Sequence, residues 1–214
     1  MKPKVTLNLF IKLSLFLVLL PLFIFCSKAQ DYIPANDSKI RYTGRIDFTD
    51  SLQPRYSFPG ISIEAKFNGS GISAIIHDYG QGGEGTTNYY KVIIDGYIVN
   101  EQLKMNNGEN TYVLKSGLPL TDHTIKIIKI TEGASGVSSF IGFKVQGGSQ
   151  NTLELSARVN KKIEFIGDSW TCGYGNLSQF SSGSESMKYS TYVAKNEDNY
   201  YAWGPISARA IGAE

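Results

Sequence analysis

"GISIEAKFN", residues 60–68, alternates without a fault. Ile61, Ile63, Ala65 and Phe67 fall on one side, and Ser62, Glu64, Lys66 and Asn68 on the other. A period of two is that of a half-buried β-strand, because successive side chains leave opposite faces. The pattern spreads in both directions from here. Residues 71–79 put Ile72, Ala74 and Ile76 together, and residues 88–94 put Tyr90, Val92 and Ile94 together. Asp95-Gly96 follows, a pair suited to a type I′ turn with positive φ at both centre positions. Asn106-Asn107-Gly108 marks a second turn, and further strands are expected near 111–115, 123–131 and 138–145. Ile127-Ile128 breaks the alternation, which predicts either a bulge or a strand buried on both faces. No segment from Ile40 to Val145 shows a 3.6-residue apolar period. Eight or so short strands with turns between them read as an all-β sandwich, or jelly roll, over residues 30–148. The loop Gly80-Gln81-Gly82-Gly83-Glu84-Gly85 has neither a following helix nor a Lys-Ser/Thr ending, so it is not read as a phosphate loop.

The N-terminus reads differently. Lys2 and Lys4 precede an apolar run from Leu13 to Phe25, and Ser27-Lys28-Ala29 offers small residues where a signal peptidase cuts. Residues 1–29 are therefore read as a secretory signal cleaved near Ala29, which implies a secreted or periplasmic protein with no membrane span after cleavage. Cys26 raises a rival reading as a lipidated anchor, against which stand the bulky residues Phe23-Ile24-Phe25 before it. Removing the signal takes away four lysines and leaves 17 basic residues against 19 acidic ones. A chain near charge −2 with no basic stripe is not a nucleic-acid binder. One cysteine remains, Cys172, so an intrachain disulfide is excluded.

Beyond Gly147-Gly148 the composition changes. Residues 149–160 read as a linker, and Ile163–Ile166 as a short apolar strand. Residues 177–196 form a Ser-rich loop, and residues 198–211 an amphipathic helix that starts at Pro205 and stops at Gly212. A strand followed by a helix opens an α/β domain, so residues 161–214 are expected to be the incomplete start of one. Between the two lies Gly167-Asp168-Ser169. A serine hydroxyl is a poor nucleophile at neutral pH; it needs a base and oxyanion donors. A strand-to-loop turn exposes such a side chain and its backbone N–H groups. Gly167 lets the chain turn sharply and Asp168 can brace the loop. An ordinary turn uses the same three residue types.

The flanks narrow the choice. "KKIEFIGDSWTCGYGN", residues 161–176, resembles the first block of the SGNH (GDSL-type) hydrolases, and more narrowly the acetyl-esterases of carbohydrate esterase family 2. "IRYTGRIDF", "NYYKVIIDG", "HTIKIIKITE" and "FIGFKVQGG" are similar to segments of the β-sandwich those esterases carry ahead of the hydrolase domain. "ISARAIGAE" is similar to the end of the first hydrolase helix. The resemblance implies that Ser169 is the nucleophile and that its backbone N–H is one oxyanion donor. It also implies a Gly, an Asn and a late His base, none of which is found in these 214 residues. The expected activity is removal of acetyl groups from plant polysaccharides of the acetylxylan or glucomannan type, by a chain that lacks its own base. A glycan-binding sandwich with a vestigial tail is the alternative. Trp170 stands where the family has a smaller aliphatic residue; packing beside the turn is the plainer reading and a substrate contact the other.

The remaining candidates are read as structural. His77 shares a strand face with Ser73, Ile75 and Tyr79, and His123 with Ile125 and Ile127. Cys172 lacks a base and is read as buried and inert. Of the pairs Tyr89-Tyr90 and Tyr200-Tyr201, one member each is read as core. No Cys/His/Asp cluster has metal-ligand spacing in the sequence, so neither a metal nor a cofactor is expected.

Overall fold

The computed structural model describes residues 31–83, 86–148, 152–178 and 193–214. The signal reading of residues 1–29, with Cys26, lies outside them, as do residues 149–151 of the linker and 179–192 of the polar loop. Among the described residues the strands are β1 (Asp31–Pro34), β2 (Arg41–Thr43), β3 (Arg55–Tyr56), β4 (Ser62–Asp78), β5 (Tyr89–Ile94), β6 (Tyr97–Lys104), β7 (Gly108–Lys129) and β8 (Ser138–Gln146). Their pairings are antiparallel. The order is β1-β8-β4-β7-β5-β6, with β2 also on β4 and β3 on β8.

β4 and β7 form the spine. The sequence reading divides each into two strands; the structure runs through, with 17 residues in β4 and 22 in β7. The join is a bend. Pairing slips between Gly69↔Thr121 and Gly71↔Ser116, so residues 117–120 bulge out opposite Ser70. The bend changes parity. Before it the odd residues Ile63, Ala65 and Phe67 are buried, and after it the even residues Ile72, Ala74 and Ile76. With a side-chain period of two, a strand without the slip would turn one half outward. The slip brings both halves to one core, shared with Ile33, Tyr90, Ile125, Ile127, Phe140 and Phe143. This is an antiparallel β-sandwich.

Close backbone approach sets the end of β8. A Cβ on Gly148 would lie 1.6 Å from the Asn68 carbonyl oxygen, which is backbone and cannot rotate away. Gly148→Ala is expected to cost about 1–3 kcal/mol through forced backbone shifts. The check is a lower urea midpoint at unchanged m value.

Two details of the sandwich answer the sequence reading. Asp95 and Gly96 have φ of +52° and +83°, the turn expected between β5 and β6. Ile127 and Ile128 pair with Ile63 and Ser62 without a slip, so there is no bulge there. Ile127 belongs to the main core, and Ile128 to a second cluster with Tyr89, Ile130 and Ala194. The strand is buried on both faces because the C-terminal segment covers the outer one.

That segment departs from expectation in two places. Residues 163–166 form no strand ladder, and Ile166 is 85% exposed. An apolar strand of an α/β sheet needs a neighbour on each edge. The only rung among the described residues comes from Glu214, whose N–H reaches the Lys161 carbonyl while its own carbonyl accepts from Ile163, both at 2.9 Å. A residue bonded on both sides to residues two apart is the pattern of a parallel pair. The helix also starts earlier than Pro205. α1 (Ser169–Cys172) follows the serine turn, and α2 spans Trp203–Ala210. Pro205 sits in the first turn of α2, where its missing N–H has no intrahelical acceptor to lose. Gly212, at φ +63°, ends the helix, with the Ala213 N–H on the Ala208 carbonyl at 2.8 Å. Among the described residues no helix is long and apolar enough to cross a membrane.

Candidate active site

Residues 161–167, outside any strand or helix, lead straight into α1. Asp168 caps it: Oδ1 accepts the Trp170 N–H at 3.1 Å, and the Asp168 carbonyl accepts the Thr171 N–H at 3.0 Å. Ser169 is therefore the first helical residue, a position whose N–H has no intrahelical acceptor. Its side chain is exposed. Gly167 leaves room for Thr171, since a Cβ there would lie 2.1 Å from Thr171 Oγ1, which would have to rotate away, and 3.1 Å from its Cβ. Gly173 closes the turn at φ +82°. The three residues named from sequence thus act together: Gly167 gives room, Asp168 caps, and Ser169 is presented. An open cleft of about 1520 Å³ lies between this turn and the sandwich, bordered by Asp168, Ser169, Phe58, Gly60, Lys126 and Pro205.

The turn is held from beneath by the C-terminal segment. Asn176 and Asp198 exchange hydrogen bonds, Nδ2 to the Asp198 carbonyl at 2.7 Å and the Asp198 N–H to Oδ1 at 2.9 Å. Asn199 donates Nδ2 to the Thr171 carbonyl at 3.1 Å and its N–H to the Ile130 carbonyl at 2.9 Å. Asp198 in turn pairs with Lys91 of β5 at 2.9 Å, and both side chains are buried. Lys91 also pairs with Glu101 and stands over the Tyr201 ring, 4.4 Å from its centroid. Burial works to lower the Lys91 pKa; hydrogen bonds to Glu101 and Asp198 and their charges overcome it, and the pKa is raised.

A second buried polar group lies behind Cys172. Burial pulls Lys129 down to about 7 against the charges of Glu197 and Asp78, and pushes Glu197 up to about 7. Burial, then the Glu197 charge, pushes the Cys172 thiol up to about 12, so it is protonated and inert as a nucleophile at neutral pH. Glu197 carries a testable sign. Its folded pKa is above the usual 4.5, so between about pH 4.5 and 7 the folded state holds the extra proton and stability falls as pH rises. Glu197→Gln is expected to remove that fall, on the order of 3 kcal/mol across the window. Urea titrations of both proteins from pH 4.5 to 7 check it; parallel curves would refute it.

The other candidates sit elsewhere. His123 has Nδ1 2.6 Å from Asp95 Oδ2 and Nε2 2.9 Å from the Pro119 carbonyl, so both ring nitrogens are engaged. His77 stacks on Tyr79 at 4.3 Å between centroids. Among the described residues neither histidine bonds Ser169. Trp170 is 81% exposed among the described residues. Tyr89 and Tyr90 are both buried, and neither can be a sugar platform. Tyr201 is partly exposed but engaged with Lys91. Sequence reasoning missed Lys91, Glu132, Glu197 and Asp198. They come from distant segments, and no short motif marks them.

Fold and site together define a β-sandwich bearing a serine-tipped helical turn on its flank. The chain belongs to the carbohydrate esterase 2 N-terminal family, whose model matches residues 42–152. It is 34% identical over 174 residues to the cellulase/esterase CelE of Acetivibrio thermocellus, covering 81% of this chain and 19% of that one. It is 29% identical over 162 residues to an acetylxylan esterase / glucomannan deacetylase of Cellvibrio japonicus, covering 74% and 39%. The structure of a family two carbohydrate esterase from Clostridium thermocellum in complex with cellohexaose is similar at TM-score 0.71 and 33% identity, over 82% of this chain and 49% of that one. The chain spans less than half the length of the curated relatives it matches.

Proposed function

We propose that this chain forms the sandwich and the nucleophile-bearing part of an exported carbohydrate esterase that removes acetyl groups from polysaccharides of the acetylxylan or glucomannan type. The observation that carries the reading is Ser169 itself: exposed, first in a helical turn, capped by Asp168 and given room by Gly167. The Ser169 oxygen attacks the acetyl carbonyl, the carbon–oxygen bond to the sugar breaks, and the departing sugar oxygen takes up the proton that left Ser169 and becomes a hydroxyl. Water then releases acetate from the acyl-enzyme. The free N–H of the first helical position suits an oxyanion donor. The rung between Glu214 and residues 161–163 supports reading residues 161–214 as the opening of an α/β hydrolase domain in the SGNH manner. The bent β4–β7 spine supports reading the sandwich as a jelly roll. The base comes from outside the described residues, because His123 is fully engaged and His77 stands on the sandwich. The exposure of Trp170, next in sequence to Ser169, supports reading it as a sugar contact. The relatives' names, an acetylxylan esterase / glucomannan deacetylase among them, support the substrate class. Acetate release from acetylated xylan by the protein with its complete hydrolase domain, with Ser169 intact or replaced by Ala, is the test.

A further inference from the structure

Glu132, Cys172 and Glu197 come from three separate segments. Glu132 follows β7, Cys172 closes the serine turn, and Glu197 precedes the last 3-10 turn. One ligand atom from each, a carboxylate oxygen or the thiol sulfur, lies within 4.8 Å of the other two. Cys172 Sγ is 3.8 Å from Glu132 Oε2. Glu197 is wholly buried; neither carboxylate oxygen makes a well-formed hydrogen bond, and burial raises its pKa against the nearby Cys172 thiol, Glu132 backbone and Lys129 charge. Among the described residues no salt bridge reaches Glu132 or Glu197. Lys129, whose charge acts on Glu197, Glu132 and Cys172, makes its hydrogen bonds to the carbonyls of Thr131 at 2.5 Å and Glu132 at 3.0 Å and forms no ion pair with those three side chains. A buried carboxyl group without a well-formed hydrogen bond is unfavourable as the anion; it is held as the acid, as Glu197 is below about pH 7, or its charge is met by a metal.

We propose that Glu132, Cys172 and Glu197 bind a divalent cation of the Zn²⁺ kind. Zn–O bonds of about 2.1 Å and Zn–S bonds of about 2.3 Å put tetrahedral ligand atoms roughly 3.5 Å apart, close to the spacing between Cys172 and Glu132. One sulfur and two carboxylates suit a borderline-soft ion better than Mg²⁺ or Ca²⁺, which prefer oxygen alone. Three protein ligands leave a fourth position for water. On binding, Cys172 and the protonated fraction of Glu197 give their protons to solvent, and the sulfur and both carboxylates bond the metal. The ion then ties together the sandwich, the serine turn and the C-terminal segment. The site is structural, and it does not depend on Ser169 being a nucleophile.

The test uses the full chain, dialysed against chelator and then titrated with Co²⁺ followed visibly and with Zn²⁺ followed by calorimetry. One equivalent of Co²⁺ is expected to give a sulfur-to-cobalt absorption band that Zn²⁺ displaces. Cys172→Ser is expected to lose the band even though Cys26 remains, and Glu197→Gln to weaken Zn²⁺ binding by about tenfold or more. Zn²⁺ is also expected to protect Cys172 of the unmutated chain from a thiol reagent, a readout that needs no variant to fold. No band and no protection would overturn the site, as would a band unchanged in Cys172→Ser.

Discussion

Replacing Ser169 by alanine is expected to lower acetate release by about four orders of magnitude or more, in the protein that carries its complete hydrolase domain. The oxygen removed is the atom that bonds to the acetyl carbon, so no other group of the turn can replace it. What remains is binding and the oxyanion donors, which sustain only a small residual rate. The fold should not change. Ser169 is exposed, and substitutions at exposed positions away from special contacts usually stay within about 0.5 kcal/mol. Circular dichroism and the urea midpoint check the fold; acetate assay and 4-nitrophenyl acetate check the rate. Turnover retained by Ser169→Ala would remove the nucleophile assignment and leave the sandwich fold and family membership untouched.

Lys91→Met is expected to destabilise the chain by about 3–5 kcal/mol. Lys91 and Asp198 are both buried, and their pair spans 2.9 Å between β5 and the C-terminal segment. Removing the lysine leaves Asp198 as a buried charge facing the Tyr200 N–H alone, which its Oδ1 accepts at 2.9 Å. The loss comes from that stranded charge more than from the pair's own attraction. The double change Lys91→Met with Asp198→Asn should therefore recover much of it, since Asn keeps the acceptor and drops the charge. Urea denaturation of the four proteins closes the cycle. Asp198 also braces Asn176, so amide exchange around residues 173–176 should quicken in Lys91→Met. An additive cycle would refute the coupling.

These two results bear on different stages of the chain. The sandwich was largely legible because alternation is a local property: GISIEAKFN names its own faces, and Asp95-Gly96 its own turn. What local pattern could not carry was the bend. Whether residues 60–79 are two strands or one bent strand depends on the four residues of β7 that bulge opposite Ser70. Pro205 misled for a related reason, because the first turn of a helix tolerates proline at more than one position. The serine turn was legible too, since its parts are consecutive: room at Gly167, cap at Asp168, side chain at Ser169.

The sequence by itself determined the strand faces, the turns, and the serine at its own turn, all of which follow from residues within a few positions of one another; that this serine opens a short helix came from the structure. Tertiary structure alone decided the rest. It covered Ile128 with Ala194, set Asp198 on Lys91, and gathered Glu132, Cys172 and Glu197 behind the serine turn. Buried charge and polar clusters depend on which segments meet once the apolar faces have packed. That meeting is a long-range outcome of burial, and no window of the chain encodes it.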